Sequence, residues 1–273
     1  MTHGGGVRIE SDNVAALLVR REGPTGTIVF SNPAKYNAMT LRMWQEFPQR
    51  LAELDRDPDI RVIVLEGDGE KAFVSGSDIS EFASKRADPQ SQALYNAAVD
   101  TACAAPLQCA KPVLARIRGV CMGGGLGLAA ACDVRMCSDN ARFQIPAARL
   151  GIGYPFAAIR RLMSIIGAQN ACDVLFSARR FSADEACRMG FVARMVDAAR
   201  FDDETAQWVA AVAENAPLTL HAIKRCVIEL QKEPAERDQA SMQSVIDACF
   251  ASADFREGAR AFGEKRKPVF VGR

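Results

Sequence analysis

The chain has 273 residues, 49% of them hydrophobic, and carries 34 Lys and Arg against 33 Asp and Glu. That length supports one large α/β domain with a substantial core, and the even charge argues against a nucleic-acid surface or a polybasic membrane patch. No run reaches the ~18 apolar residues of a membrane helix, and no basic region followed by an apolar run marks a signal peptide.

Val14 to Arg20 and Thr27 to Phe30 read as strands, with Gly23-Pro24 as the turn between them. Thr40 to Leu54 has helical spacing, with Thr40 as its N-cap. Arg61 to Leu65 is a short buried strand closed by a Gly-Asp-Gly turn. Ala93 to Ala105 reads as helix, Val113 to Ile117 as strand, Leu126 to Cys132 as a small-residue helix and Val134 to Cys137 as strand. This alternation predicts crossover connections and a largely parallel sheet. Beyond about residue 155 the pattern reads as almost wholly helical. Ser182-Ala-Asp-Glu185 has capping-box spacing for a helix to about Gly190. Phe201 to Glu214, Pro217 to Gln231 and Ala235 to Phe250 follow as helices. Residues 1–200 are expected to form the core, with a helical region over 201–273 packing on it or on another subunit. The first six residues are expected to be a tail.

The nine cysteines are scattered without a C-x-x-C pair, which reads as thiols in a reducing, cytoplasmic setting. Cys132 and Cys137, the nearest pair, are expected to be neither bridged nor metal-bound. Only His3 and His221 are present, and His221 falls on a helix face. Ser-His-Asp, Cys-His and multi-histidine zinc chemistry are therefore disfavoured.

Cys121-Met-Gly-Gly-Gly-Leu-Gly-Leu-Ala-Ala-Ala-Cys-Asp133 is the most informative segment. Gly123 to Gly125 join a strand to a helix, where backbone can approach a ligand closely and outward amides favour negative charge. Those are the components of an oxyanion hole, and Phe73-Val-Ser-Gly-Ser-Asp-Ile-Ser80 can supply a second donor. Two other readings stand beside it. Gly125-Leu-Gly-Leu-Ala-Ala130 fits a degenerate dinucleotide fingerprint, although the acid expected about 20 residues later is missing. Close helix-to-sheet packing through small residues is the other.

The wider order of motifs resembles the crotonase superfamily, the enoyl-CoA hydratase/isomerase family. The residues that carry the resemblance include Asn32-Pro-Ala-Lys-Tyr-Asn-Ala-Met39, Ala72-Phe-Val-Ser-Gly-Ser-Asp-Ile79, Lys111-Pro112 and Gly119 to Asp133. Phe143-Gln-Ile-Pro146, Leu150-Gly-Ile-Gly153, Ala216-Pro217, Phe255-Arg-Glu-Gly258 and Phe262-Gly-Glu-Lys-Arg-Lys-Pro268 continue it. The resemblance implies an α/β fold of repeated ββα units and a helical C-terminal region that builds a homotrimer, often paired into a hexamer. It implies an acyl-CoA thioester as substrate, with coenzyme A part of that substrate and no further cofactor. The thioester oxygen would accept from the backbone N–H groups of Ser77 and Gly124. Ser75, Ser77, Asp78 and Ile79 would line the CoA channel. Lys35 would stand beside the CoA, and Phe262 and Lys265 would reach its nucleotide end.

The departures bear on the reaction. Hydratases of the family use two glutamates, and their positions here are Gly127 and Ala147. Each such acid–base group contributes about 10²- to 10⁴-fold, so two-glutamate hydration is not expected, and single-glutamate isomerisation through position 147 is not expected either. A relocated acid, Glu81 or Asp78, would restore hydration; the plainer expectation is a solvated helix residue for Glu81 and a loop cap for Asp78. Tyr154, in Leu150-Gly-Ile-Gly-Tyr154, is similar to the active-site tyrosine of the methylmalonyl-CoA decarboxylase branch of the family. Loss of CO₂ from a malonyl-type thioester needs an oxyanion hole and a proton donor but no base, and a tyrosine hydroxyl can donate. Ser77, Gly124 and Tyr154 are the expected catalytic residues. Three classes follow: an acyl-CoA lyase or isomerase, including a decarboxylase; a non-catalytic acyl-CoA-binding protein; and a nicotinamide or flavin enzyme.

Overall fold

A computed structural model describes residues 14–81, 85 and 88–273. The expected tail and His3 lie outside the described residues. Among the described residues, ten strands form two sheets. The larger runs β1 (Ala16–Glu22), β2 (Thr25–Ser31), β3 (Val62–Gly67), β5 (Val113–Ile117), β7 (Val134–Ser138) and β10 (Arg194–Val196) in spatial order. The β1–β2 pair is antiparallel and every later pair in this sheet is parallel. The smaller sheet is β4 (Ala72–Val74), β6 (Val120–Met122), β8 (Arg142–Gln144) and β9 (Phe181–Ser182), parallel except for β8–β9.

The order of elements explains the two layers. Each repeat places one strand in the large sheet, the next in the small sheet, and then a helix: β3–β4–α2 (Pro89–Gln108), β5–β6–α3 (Gly124–Ala131) and β7–β8–α4 (Phe156–Ser177). The first hairpin leads instead to α1 (Leu41–Arg56). This is the ββα architecture that the resemblance implies. The loops after β4, β6 and β8 therefore emerge side by side, at the carboxyl edge where open parallel sheets place their ligands.

Local signals account for the long elements. Thr40 caps α1 by accepting from the Met43 N–H, and Met43, Trp44, Phe47, Leu51 and Leu54 bury one helical stripe. That stripe packs with Phe30, Ile63, Leu65 and Phe73 in the main core, where Phe30 and Phe73 meet edge to face at 5.5 Å. Ser182 and Glu185 form both halves of the capping box that opens α5 (Ala183–Arg188).

The opposite face of the large sheet is covered by α6 (Phe201–Ala213), whose Phe201 and Val209 pack with Val62, Val64, Leu114 and Met136. The remaining helices are α7 (Pro217–Leu230), α8 (Gln239–Ala251) and α9 (Ala253–Gly263). Lys224 on α7 is buried and donates to the Pro106 and Lys111 carbonyls and to Asp133 at 2.8, 2.9 and 2.8 Å. The chain end returns to the body through Arg61 to the Phe270 carbonyl and through the Val271 and Gly272 amides to Asp254.

Several expectations need correction. The region after residue 155 is not wholly helical: β9 completes the small sheet and β10 the large one. Strands of two and three residues are too short to show a period. The helix expected from Ala235 starts at Gln239, because Pro234–Glu236 forms a 3-10 turn and Asp238 provides the cap. The small-residue helix begins at Gly124, earlier than its apolar run suggests.

Candidate active site

The glycine segment shapes the site because its neighbour leaves no room for side chains. A Cβ on Gly125 would stand 2.7 Å from the Val74 Cβ, so α3 lies directly on β4. Gly76 and Gly123 hold φ values of 110° and 52°, which favour glycine. These turns bring the two loops together: a Cβ on Gly76 would lie 3.7 Å from the Gly124 nitrogen. Met39 donates to the Gly76 carbonyl and Asp78 donates to the Met39 carbonyl. This bridge leaves the Ser77 N–H between them without an acceptor among the described residues. Gly124 is the first residue of α3, so its N–H has no partner in the helix. Both residues line one cavity of about 720 Å³.

Side chains form the facing wall. Val99, Asp100, Cys103 and Ala104 present one face of α2, and Tyr154 and Arg161 approach from α4 and the loop before it. Gly127 and Ala147 border the same space. A Cβ on Gly127 would lie 3.6 Å from Cys103 Sγ and 3.8 Å from the Tyr154 hydroxyl. Burial raises the Tyr154 hydroxyl pKa well above its usual value, with Cys103 and Cys121 adding to the effect, so it stays a neutral donor. Burial pushes the Cys103 thiol to about 12, against Arg161, which lowers it, and with Asp100, which raises it. Arg161 donates to the Cys103 carbonyl at 3.2 Å. Burial raises the Asp100 carboxyl above the usual aspartate range.

The other expected residues separate into two groups. Ser75 and Ile79 line the cavity beside Ser77. Lys35 and Asp78 form an ion pair at 2.7 Å instead of lining it, and Lys35 also donates to Ser80 Oγ. Burial pushes the Asp78 carboxyl upward, but hydrogen bonds from Lys35 and Ser80 outweigh it and hold it below its usual value. Asp78 is thus a loop cap, accepting from the Ser80 N–H. Glu81 is not a solvated helix residue: it accepts from the Leu41 N–H at the start of α1. Phe262 and Lys265 lie at the end of α9 and do not border the cavity. His221 approaches the Ala110 carbonyl at 3.3 Å. Asp100 was not distinguished in the sequence. Its signal was faint: one acid at helical spacing from Asn96, Cys103 and Ala104.

The profile of the enoyl-CoA hydratase/isomerase family matches residues 21–273. The chain belongs to the enoyl-CoA hydratase/isomerase family. It is 32% identical over 256 residues to the peroxisomal Delta(3,5)-Delta(2,4)-dienoyl-CoA isomerase of Arabidopsis thaliana, covering 89% of this chain and 91% of that one. It is 29% identical to the short-chain-enoyl-CoA hydratase of Clostridium acetobutylicum, covering 92% and 95%. A crystal structure of an enoyl-CoA hydratase/isomerase family protein from Hyphomonas neptunium superposes with a TM-score of 0.88 at 33% identity, covering 94% of this chain and 98% of that one. Gly127 and Ala147, where the resemblance leads one to expect the two hydratase glutamates, carry no acid.

Proposed function

We propose that this family member converts an acyl-CoA thioester through an enolate held by the Ser77 and Gly124 amides, in lyase or isomerase chemistry. The observation that carries the reading is a pair of N–H groups without an acceptor among the described residues, just beyond the ends of adjacent parallel strands, on residues that line one cavity. Such preorganised donors stabilise charge where it develops, and removing one costs about 3 to 4 kcal/mol. The substrate's CoA portion would run past Ser75 to Ile79. The Lys35–Asp78 pair would stiffen that loop, and Phe262 and Lys265 would serve the nucleotide end. The exposed Phe250, Phe255 and Phe262 on α8 and α9 suit a homotrimer, or a hexamer of paired trimers, built from region 201–273 on the core of residues 1–200. A cytoplasmic setting is part of the same reading.

A second reading has its own support. The Tyr154 hydroxyl borders the space left by Gly127, which favours loss of CO₂ from a malonyl-type thioester with Tyr154 orienting the carboxylate or donating the proton. A screen by liquid chromatography with mass spectrometry separates these, the chromatography resolving the equal-mass 2-enoyl and 3-enoyl isomers. One set is 2-enoyl-CoAs and their 3-hydroxy counterparts, with 3-enoyl-CoAs added; the other is malonyl-, methylmalonyl- and ethylmalonyl-CoA. Conversion of the first set supports proton-transfer chemistry, and loss of CO₂ from the second supports decarboxylation. Tight binding of CoA thioesters without turnover of any would point to a non-catalytic binding protein. Gly124→Pro and Ser77→Pro each delete one donor and should abolish turnover. Circular dichroism must accompany them, because a Cβ at Gly124 meets the Trp44 ring at 3.0 Å. Undiminished turnover in folded variants would sink the proposed hole.

A further inference from the structure

The acid that the glutamate positions lack has a counterpart across the cavity. Asp100 is the one carboxylate among the described residues that line it. It lies one helical turn from Cys103, whose thiol reaches the Gly124 carbonyl at 3.8 Å and borders the space left by Gly127. The other titratable groups bordering the cavity are Cys103, Tyr154 and Arg161. None of them suits the role of proton acceptor. Cys103 is a neutral thiol at working pH, Tyr154 is a neutral phenol, and an arginine does not deprotonate. The acids named from sequence are engaged elsewhere: Asp78 with Lys35 and Ser80, and Glu81 with the Leu41 N–H. Asp100 and Arg161 act in opposite directions on the Cys103 thiol between them.

We propose that Asp100 is the catalytic base and acid of this site, moving the α-proton of the acyl-CoA from the α2 wall. This rests on the enolate reading above. The carboxylate removes a proton from the α-carbon of a 3-enoyl thioester. The C–H electron pair becomes part of a dienolate, and the carbonyl π pair moves onto the oxygen held by Ser77 and Gly124. Protonated Asp100 then returns the proton to the γ-carbon, which leaves the double bond conjugated with the thioester. Atoms balance without a co-reactant, and the net reaction is isomerisation of a 3-enoyl to a 2-enoyl thioester. Asp100 is exposed at the cavity mouth, and partial desolvation raises its carboxyl above the ordinary value, the direction that favours accepting a proton.

Two readouts test this in the full-length enzyme: exchange of the α-proton of trans-3-hexenoyl-CoA in D₂O, and appearance of the conjugated thioester by ultraviolet absorbance. Asp100→Asn should slow both by at least ~10²-fold, with the Kd for the thioester within about threefold, a tolerance set for a group that acts on the reacting atoms and not on binding. Wild-type kcat should rise with pH as the Asp100 carboxyl deprotonates, that rise should be absent from Asp100→Asn, and Asp100→Glu should recover part of the rate. Exchange that persists in Asp100→Asn but vanishes in folded Gly124→Pro or Ser77→Pro would overturn the role of Asp100 and leave the enolate reading standing. Wild-type protein that binds the thioester but exchanges no α-proton would overturn both.

Discussion

Gly125 and Gly127 stand two residues apart on α3 and meet opposite surroundings. Gly125 presses on the backbone of β4, while the nearest neighbours of a Cβ at Gly127 are a thiol and a phenol at ordinary contact distance. The same contrast runs through the whole cavity. One wall is backbone, fixed by close approach of β4, β6 and α3, and it presents amides. The other is made of side chains from α2, Tyr154 and α4, several of them with pKa values displaced by burial. The first wall holds charge on an oxygen whatever the acyl group. The second decides what happens to the carbon beside it. Chemistry can therefore change within the fold by substitution on the side-chain wall, while the amide wall tolerates almost nothing.

The largest expected effect breaks the side-chain wall from behind. Lys224→Met removes the cation that ties α7 to the end of α2, and it leaves Asp133 without its buried partner. The loss should be about 3–5 kcal/mol in urea unfolding; a loss below 1 kcal/mol would mean that water replaces the pair. Gly125→Ala attacks the amide wall. It should cost about 3 kcal/mol by overpacking, because β4 backbone must move, and activity should fall with stability. Tyr154→Phe should lower turnover by ~10²-fold with unchanged CoA binding if the hydroxyl handles a proton. Full activity would remove it from the mechanism. Gly127→Ala is the counter-experiment to Gly125→Ala: stability should rise by about 0.5–1 kcal/mol from helix propensity alone, with longer acyl chains binding less well. The smallest effect concerns the CoA-side loop. The Asp78 pKa is depressed in the fold, so its tie contributes fully above the unfolded value of ~3.9. It disappears as pH falls through the lower folded value. Because Lys35 is half exposed, Asp78→Asn should remove less than about 1 kcal/mol at pH 7, and less still at pH 3.

Elements long enough to display a period were legible in advance. The apolar stripe and Thr40 cap of α1, the Ser182 capping box and the largely apolar run of β5 appear where their residues point. The short strands β4, β6, β8, β9 and β10 span two or three residues each and carry no pattern that separates them from loops. These are the strands that build the small sheet and close the large one. Ser77 and Gly124 were legible because glycine-rich turns and motif order mark them. Lys35 and Asp78 were legible as neighbours of the site but not as partners of each other, since a sequence separation of 43 carries no signal of contact.

What the sequence by itself determined is the family, through that resemblance the repeated ββα order, and the absence of acids at positions 127 and 147, because motif order and residue identity are carried by the chain itself. Only the tertiary structure decided which charges remain free to act. Glu81 and Asp78 carry the same charge as Asp100, yet the fold binds the first to a helix start and the second to a lysine. It leaves the third on the cavity wall, with its carboxyl raised by burial. A carboxylate's role follows from its desolvation and partners, and both are fixed by packing between elements far apart in the chain.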